Sequence, residues 1–321
     1  MKHSFAMASA VALCALCSCS QPTHYSLEVL PYKDGKQCAI SFTYDDGMLC
    51  QYTDVAPELE KRGFRGTFWI IGDRMDTESP DYPWMTWSQV ADLSRRGHEM
   101  SNHTWHHPNL TLLTPDSIRQ ELWRCDSVLE AVTGIRPKTM AYPYNALNAS
   151  IDSVCREGRV ATRLFQTGHG QVNSHTNADS LSTWLQSLLD NGEWGVTMTH
   201  GTTYGWDLWY DPRVLYNFYD EVKAVEDRVW VAPFAEVAAY CAERDSVQMS
   251  FACSSSGCTV SSTMSLDTAL YDMPLTVRLH GGDWQDKHVV ATQDGKPVVV
   301  NNSDSVLQFD IVPGKEVRLE W

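Results

Sequence analysis

The stretch CAISFTYDDGMLC, Cys38–Cys50, sets two adjacent aspartates at the end of an apolar run. A run that is apolar on both faces reads as a strand buried in a parallel sheet. Asp45 and Asp46 are like charges side by side, and Gly47 turns the chain immediately after them. Two carboxylates in one place serve best in different roles, one taking a proton and the other holding a metal.

The same texture recurs outward from this stretch. GTFWIIG, HEMSNHT, KTMAYPY, VATRL, EWGVTMTH and RVWVAPF read as further strands. TDVAPELEKRG, WSQVADLSRRG, PDSIRQELWRCDSVLEAVTG, IDSVCREG, ADSLSTWLQSLLDNG, DPRVLYNFYDEVKAVED and AEVAAYCAERD read as helices. Several of these stop at a glycine, as helix ends do. About seven strands alternating with helices predict an α/β domain, either a (β/α) barrel or a doubly wound sheet. Both architectures place chemistry at the carboxyl ends of strands. Asp45, Asp46, His103, Tyr144 and His200 all fall at such ends.

After about Asp245 the pattern changes to short alternating strands with turn signals at Asp294-Gly295 and Pro313-Gly314. This predicts a small, sandwich-like all-β domain over 245–321 with a structural role. Residues 36–244 form the α/β domain, and 20–35 a tether and lead-in.

The first nineteen residues read as a secretion signal: Lys2, then a short apolar run too short to span a bilayer. The run ends in LCSC, Leu16–Cys19, which resembles a lipobox with Cys19 as the lipidated residue. The expectation is an exported, cell-envelope protein anchored by lipid to a bacterial membrane. The net charge of -15 excludes nucleic acid as a partner, because phosphate recognition needs a basic face. The seven cysteines after the leader, Cys38, Cys50, Cys125, Cys155, Cys241, Cys253 and Cys258, form no CxxC pair, which argues against a structural zinc knuckle. Cys253 and Cys258 bracket SSSG and are either a loop disulfide or two buried thiols.

In EMSNHTWHHPNL, His103 and His107 stand four apart. On a helical turn they share one face and can grip one ion, with His106 pointing elsewhere. Two imidazoles and one carboxylate suit zinc, with cobalt or nickel as alternatives, and leave positions for water and substrate.

These residues resemble the polysaccharide deacetylase family, the NodB-homology domain of carbohydrate esterase family four. TYDDG, Thr43–Gly47, corresponds to its TFDDG motif. EMSNHTWHH matches its histidine motif, and MTH, Met198–His200, its late apolar-x-His motif. The resemblance covers roughly 36–244 and implies a distorted (β/α) barrel of fewer than eight strands. It implies Asp45 as general base, Asp46, His103 and His107 as metal ligands, and His200 as the proton donor to the leaving group. A backbone N–H near Tyr144 would help hold the oxyanion.

The chain departs from the family in two places. The third motif normally carries an arginine that pairs with the base; here AYPYN puts Ala141 in its place and Asn145 where glycine stands. The fourth motif, with an aspartate behind the catalytic histidine, has no counterpart. Arg163, on the next strand, is the candidate replacement cation for Asp45. Arg136 precedes its strand and is the weaker candidate. The aromatics Tyr82, Trp84 and Trp87, and Tyr204, Trp206, Trp209 and Tyr210, suit a saccharide platform. Asp207 and Asp211 are read as solvated.

The reading is a metal-dependent hydrolase that removes acetyl groups from a polysaccharide or oligosaccharide, as N-deacetylase or O-acetyl esterase. The alternative is a catalytically weak saccharide-binding lipoprotein that keeps the fold.

Overall fold

The computed structural model describes residues 24–79, 82–284 and 287–321. The leader, with Cys19, lies outside them. The chain divides into two units: Lys36–Ala239, and the residues up to Gly35 together with Tyr240–Trp321. No described helix is long and apolar enough to cross a membrane.

In chain order the elements are β1 (Ser26–Val29), β2 (Cys38–Ser41), β3 (Thr43–Asp46), α1 (Ala56–Glu60), β4 (Thr67–Ile70), α2 (Trp87–Arg95), β5 (Glu99–Asn102), α3 (Pro115–Thr133), β6 (Thr139–Ala141), α4 (Ala149–Cys155), β7 (Ala161–Arg163), β8 (Thr167–Gly168), α5 (Ala178–Asn191), β9 (Trp194–Met198), α6 (Arg213–Ala224), β10 (Val229–Val231) and α7 (Phe234–Ser246). Strands β3 to β7 follow one another across a five-stranded parallel sheet, and β10, β2, β9 and β8 make a four-stranded one. The two sheets share one path of chain, because β2 and β3 are a single run broken at Phe42. Tyr44 then bridges to Thr199 beyond β9. The result is a curled, partial barrel of parallel strands, one of the two architectures the alternating pattern allows and the one the family resemblance implies, plus the two-residue β8, too short to be read from sequence.

Every residue from Cys38 to Asp45 is buried, which is why the run is apolar on both faces. The core beneath it joins Ile40, Phe42, Tyr44 and Phe68 to Leu59, Leu93, Leu185, Phe218 and Tyr219 from the surrounding helices. Helix ends follow local chemistry. Thr114 caps α3 by accepting from Ser117 N–H, and Gly134 closes it in the left-handed region at φ 75°.

The other unit is all-β apart from the part of α7 that falls in it. It adds β11 (Gln248–Cys253), β12 (Gly257–Thr263), β13 (Leu275–His280), β14 (Val290–Gln293), β15 (Lys296–Val298), β16 (Val300–Ser303), β17 (Val306–Ile311) and β18 (Glu316–Glu320). One antiparallel sheet runs β1-β13-β17-β16 and the other β11-β12-β18-β14-β15. Alternate residues are buried along β12, β17 and β18, so the apolar positions line one face of each strand. Cys253 and Cys258 face each other across β11 and β12 and are disulfide-bonded. The segment read as a tether behaves differently: Ser26–Val29 pairs with Val277–His280, so these residues are sheet, not linker.

His98 pins the amino end of β4. Its Nδ1 accepts the Gly66 N–H at 3.0 Å, and its Nε2 lies 2.9 Å from Glu60. Burial pushes the imidazole down to about 4, against the opposing pull of Glu60. Protonating Nδ1 would break the Gly66 bond, so the native chain holds the neutral ring. The unfolded chain takes up that proton first, near 6.5. This contribution is complete above pH 6.5 and is lost as pH falls towards 4. Urea unfolding followed against pH is expected to be flatter for His98→Gln in that window, by about 1.4 kcal/mol per pH unit at most. An unchanged slope would refute the assignment.

Candidate metal centre

The carboxyl ends of β3, β5 and β9 meet at one place. Asp46 ends β3 at φ 85°, and Gly47 follows at φ 79°. This pair of left-handed residues throws the Asp46 side chain away from that of Asp45. An added Cβ at Gly47 would lie 2.8 Å from the Met75 Cε and strain the turn.

The two histidines share a site, but not through a helical turn. His103 leaves β5 extended, and the loop returns through left-handed residues at Thr104 (φ 69°) and His107 (φ 56°). The loop is tied internally. Asn102 Oδ1 accepts the Thr104 N–H at 2.7 Å, and Thr104 Oγ1 accepts the His107 N–H at 3.0 Å. Behind it, Asn102 Nδ2 donates to Asp126, which also pairs with Arg159 at 2.5 Å. Gly72 leaves room for the Trp105 ring, which an added Cβ would meet at 2.2 Å. His106 points out to Glu121.

Asp46 Oδ1 lies 3.5 Å from His103 Nε2 and 3.7 Å from His107 Nε2. Four ligands held tetrahedrally at about 2 Å from zinc stand about 3.3 Å apart, so the spacing suits such an ion. His103 Nδ1 donates to the Ala141 carbonyl at 2.9 Å, which turns Nε2 towards Asp46. Burial, then the neighbouring His103, pushes His107 down to about 4, which favours its neutral ring. Asp46 Oδ1 is buried without a hydrogen-bond partner. A carboxylate oxygen and two imidazole nitrogens brought together in this way are a candidate donor set for a divalent cation.

Asp45 stands apart from this set. Its two oxygens accept from Arg163 Nη1 at 2.5 Å and Nη2 at 2.6 Å, a bidentate pair with both side chains buried. Burial alone would push the Asp45 carboxyl up. The Arg163 guanidinium, by its charge and its hydrogen bonds, overrides this and holds it well below the usual carboxylate range. Arg163 lies in register with Ala141 on the neighbouring strand. The cation therefore reaches Asp45 from one strand over, and Arg136 pairs with Glu130 instead. Asn145 adopts φ 52°, a left-handed conformation that asparagine tolerates better than most residues.

His200 follows β9, close enough to interact electrostatically with both aspartates. Its Nδ1 is buried without a partner, so no carboxylate stands behind it. Its ring packs against Trp206 at 4.7 Å. Tyr144 is exposed with its ring 4.7 Å from His107, on the open side of the site.

The aromatic residues divide. Trp206, Tyr210 and Tyr82 are exposed. Trp209 is only 2% exposed and belongs to the core, so it offers no face to a saccharide. Trp84 and Trp87 are half-buried against the same core. Tyr204 is half-buried, and its hydroxyl accepts the Cys50 N–H at 2.7 Å and donates to the Pro83 carbonyl. Asp207 is not solvated: it is buried and accepts the backbone N–H groups of Asn173 and Ser174. Its short side chain fixes two loops together, which residue type alone does not reveal. Asp211 is exposed and pairs with Arg213.

The curled parallel α/β sheet thus gathers an Asp-His-His set and a separate ion-paired aspartate at its strand ends. Residues 32–162 match the family model for polysaccharide deacetylase. Over an alignment covering 91% of this chain and 13% of the other, it is 23% identical to a gellan lyase from a Bacillus species. It is 26% identical to the peptidoglycan-N-acetylglucosamine deacetylase of Bacillus cereus, over 34% of this chain and 37% of that protein. The chain thus spans well under half the length of these curated relatives. A solved structure described as a polysaccharide deacetylase, from Mycobacterium smegmatis, shares the fold. Its TM-score is 0.54 at 18% identity, covering 68% of this chain and 94% of that one.

Removing Arg163 leaves a buried carboxylate without its cation, which costs about 3–5 kcal/mol in comparable sites. Arg163→Met is expected to lower the unfolding free energy by that order, and adding Ala141→Arg to recover part of it, since position 141 faces 163 in register. A neutral Arg163→Met in chemical denaturation would show that the pair contributes nothing.

Proposed function

We propose that this protein hydrolyses acetyl groups from an acetylated saccharide with a divalent cation, zinc by donor type, held by Asp46, His103 and His107. The observation that carries the reading is the division of labour between consecutive carboxylates. Asp45 is paired with Arg163, and Asp46 presents an oxygen without a hydrogen-bond partner to the imidazoles of His103 and His107. The chemistry that such a cation supplies is Lewis acidity towards the acetyl carbonyl and towards water.

The chain's own groups do the rest. The Asp45 carboxylate takes a proton from the water whose oxygen attacks the acetyl carbon. The carbon–nitrogen or carbon–oxygen bond then breaks, and its electron pair leaves with the sugar. His200 gives that leaving atom its proton, and the products are acetate and a free amine or hydroxyl. Arg163 orients Asp45 but also lowers its basicity, so the pair favours geometry over proton affinity. Trp206, beside His200 and exposed, is the saccharide-facing aromatic best placed to stack on a sugar ring. Trp84, Trp87 and Tyr204 support the loops around it.

The relatives named as peptidoglycan deacetylases favour an N-acetylated amino-sugar polymer of the cell wall. Export to the cell envelope with a lipid on Cys19 fits such a substrate. Labelling cells with a palmitate analogue is expected to tag the full chain and not Cys19→Ala; equal labelling of both would remove the anchor from this reading.

Acetate release from chitooligosaccharides, peptidoglycan fragments and acetylated xylan, with added zinc, cobalt or nickel, tests the activity. Asp45→Asn is expected to bind one ion per chain with activity down at least 100-fold. Asp46→Asn is expected to lose the ion as well. No release from any substrate by the metal-loaded parent would overturn the proposal, as would an Asp45→Asn variant as active as the parent.

A further inference from the structure

Gln51 lies four residues beyond Gly47, in a single π-helical turn, Gln51–Val55, that precedes α1. Such turns are rare and collect at functional sites. Its side chain is fully buried. The Nε2 group donates to the Asp45 carbonyl at 2.5 Å and to the His200 carbonyl at 2.7 Å. Turning the amide over would set Oε1 against two carbonyl oxygens, so the orientation follows from the partners. Oε1 is then left buried and unpaired, a destabilising arrangement that folded chains seldom keep.

We infer that Gln51 is a positioning residue, a clamp that fixes the separation between the peptide carrying the base, Asp45, and the peptide carrying the acid, His200. The inference rests on the roles proposed above for those two residues. Backbone bonds tie the two segments together one residue short of His200, where Thr199 N–H donates to the Thr43 carbonyl at 3.1 Å. Asp45 N–H donates to Thr199 at 2.9 Å, and Arg163 grips the Asp45 carboxylate. Gln51 bonds to both peptides with one planar amide. Base and acid must act on the same acetyl group from opposite ends of one breaking bond, so their mutual spacing enters the rate directly. Neither bond touches the side chain of Asp46, His103 or His107, but the Asp45 carbonyl belongs to the peptide that leads into Asp46, so bound zinc is measured beside kcat.

Gln51→Met fills the same volume without a donor. Steady-state kinetics on the best acetylated substrate are expected to show kcat at least tenfold lower, with KM within twofold and one zinc still bound per chain. Hydrogen exchange of the amides in 44–47 and 199–206 is expected to quicken at least tenfold, with the rest of the domain unchanged. If Gln51→Met does not fold, Gln51→Glu, of the same shape but without the paired donors, is read in its place. A kcat within twofold of the parent would overturn the clamp. So would a fall in kcat matched by equal losses of bound zinc and folded protein, which marks a merely structural residue. The exchange measurement does not depend on turnover. A parent that releases no acetate defeats the proposed function, whereas unchanged exchange in both segments defeats the clamp itself.

Discussion

Two carboxylates on consecutive residues at a buried strand end are the constraint on which the site depends. Neither can stay ionised there without positive charge or donors to meet it. Arg163 meets Asp45 with both terminal nitrogens. The groups facing Asp46 do not do the same: burial favours the neutral ring of His107, and His103 commits its Nδ1–H to the Ala141 carbonyl. The proposed cation among the three side chains would complete the charge balance at this strand end. The ion pair and the donor set thus answer one electrostatic problem twice, by a guanidinium on one side and, in the proposed reading, a metal on the other.

The solution carries backbone strain. Asp46, Thr104, His107 and Tyr144 all have positive φ, and Thr104 is β-branched. Such conformations cost about 1–3 kcal/mol each and persist where surrounding bonds over-determine them. The bonds are visible here: Asn102 and Thr104 bridge their own loop, and Asp126 and Arg159 brace Asn102 from α3 and the loop before β7. Idealised strand and turn geometry would aim these side chains elsewhere.

That strain explains what the sequence could and could not reveal. The strands were legible because burial on both faces makes each run uniformly apolar, and their ends marked Asp45, Asp46, His103 and His200. The histidine pair was legible as a pair, but not as a loop. Spacing of four fits a helix, and only the left-handed residues between them show otherwise. Trp209 and Asp207 were misread because an aromatic or acidic residue in a loop looks exposed unless its neighbours are known. Gln51 gave no signal, since a buried amide clamp is defined by carbonyls on two strands distant in sequence. Ser26–Val29 is too short to read as sheet without its partner, which lies across the length of the chain.

That last pairing bears on the order in which the molecule assembles. Glu28 and His280 are neighbours in space and 252 residues apart in sequence. Strand β1 is made first and cannot complete its ladder until β13 has emerged. The parallel sheets of Lys36–Ala239 have all their strands before then. The enzyme-like unit is in effect an insertion within the β unit, closed off by the meeting of early and late chain. A truncation on either side therefore exposes an unpaired strand edge in the same small sheet, an edge open to other chains.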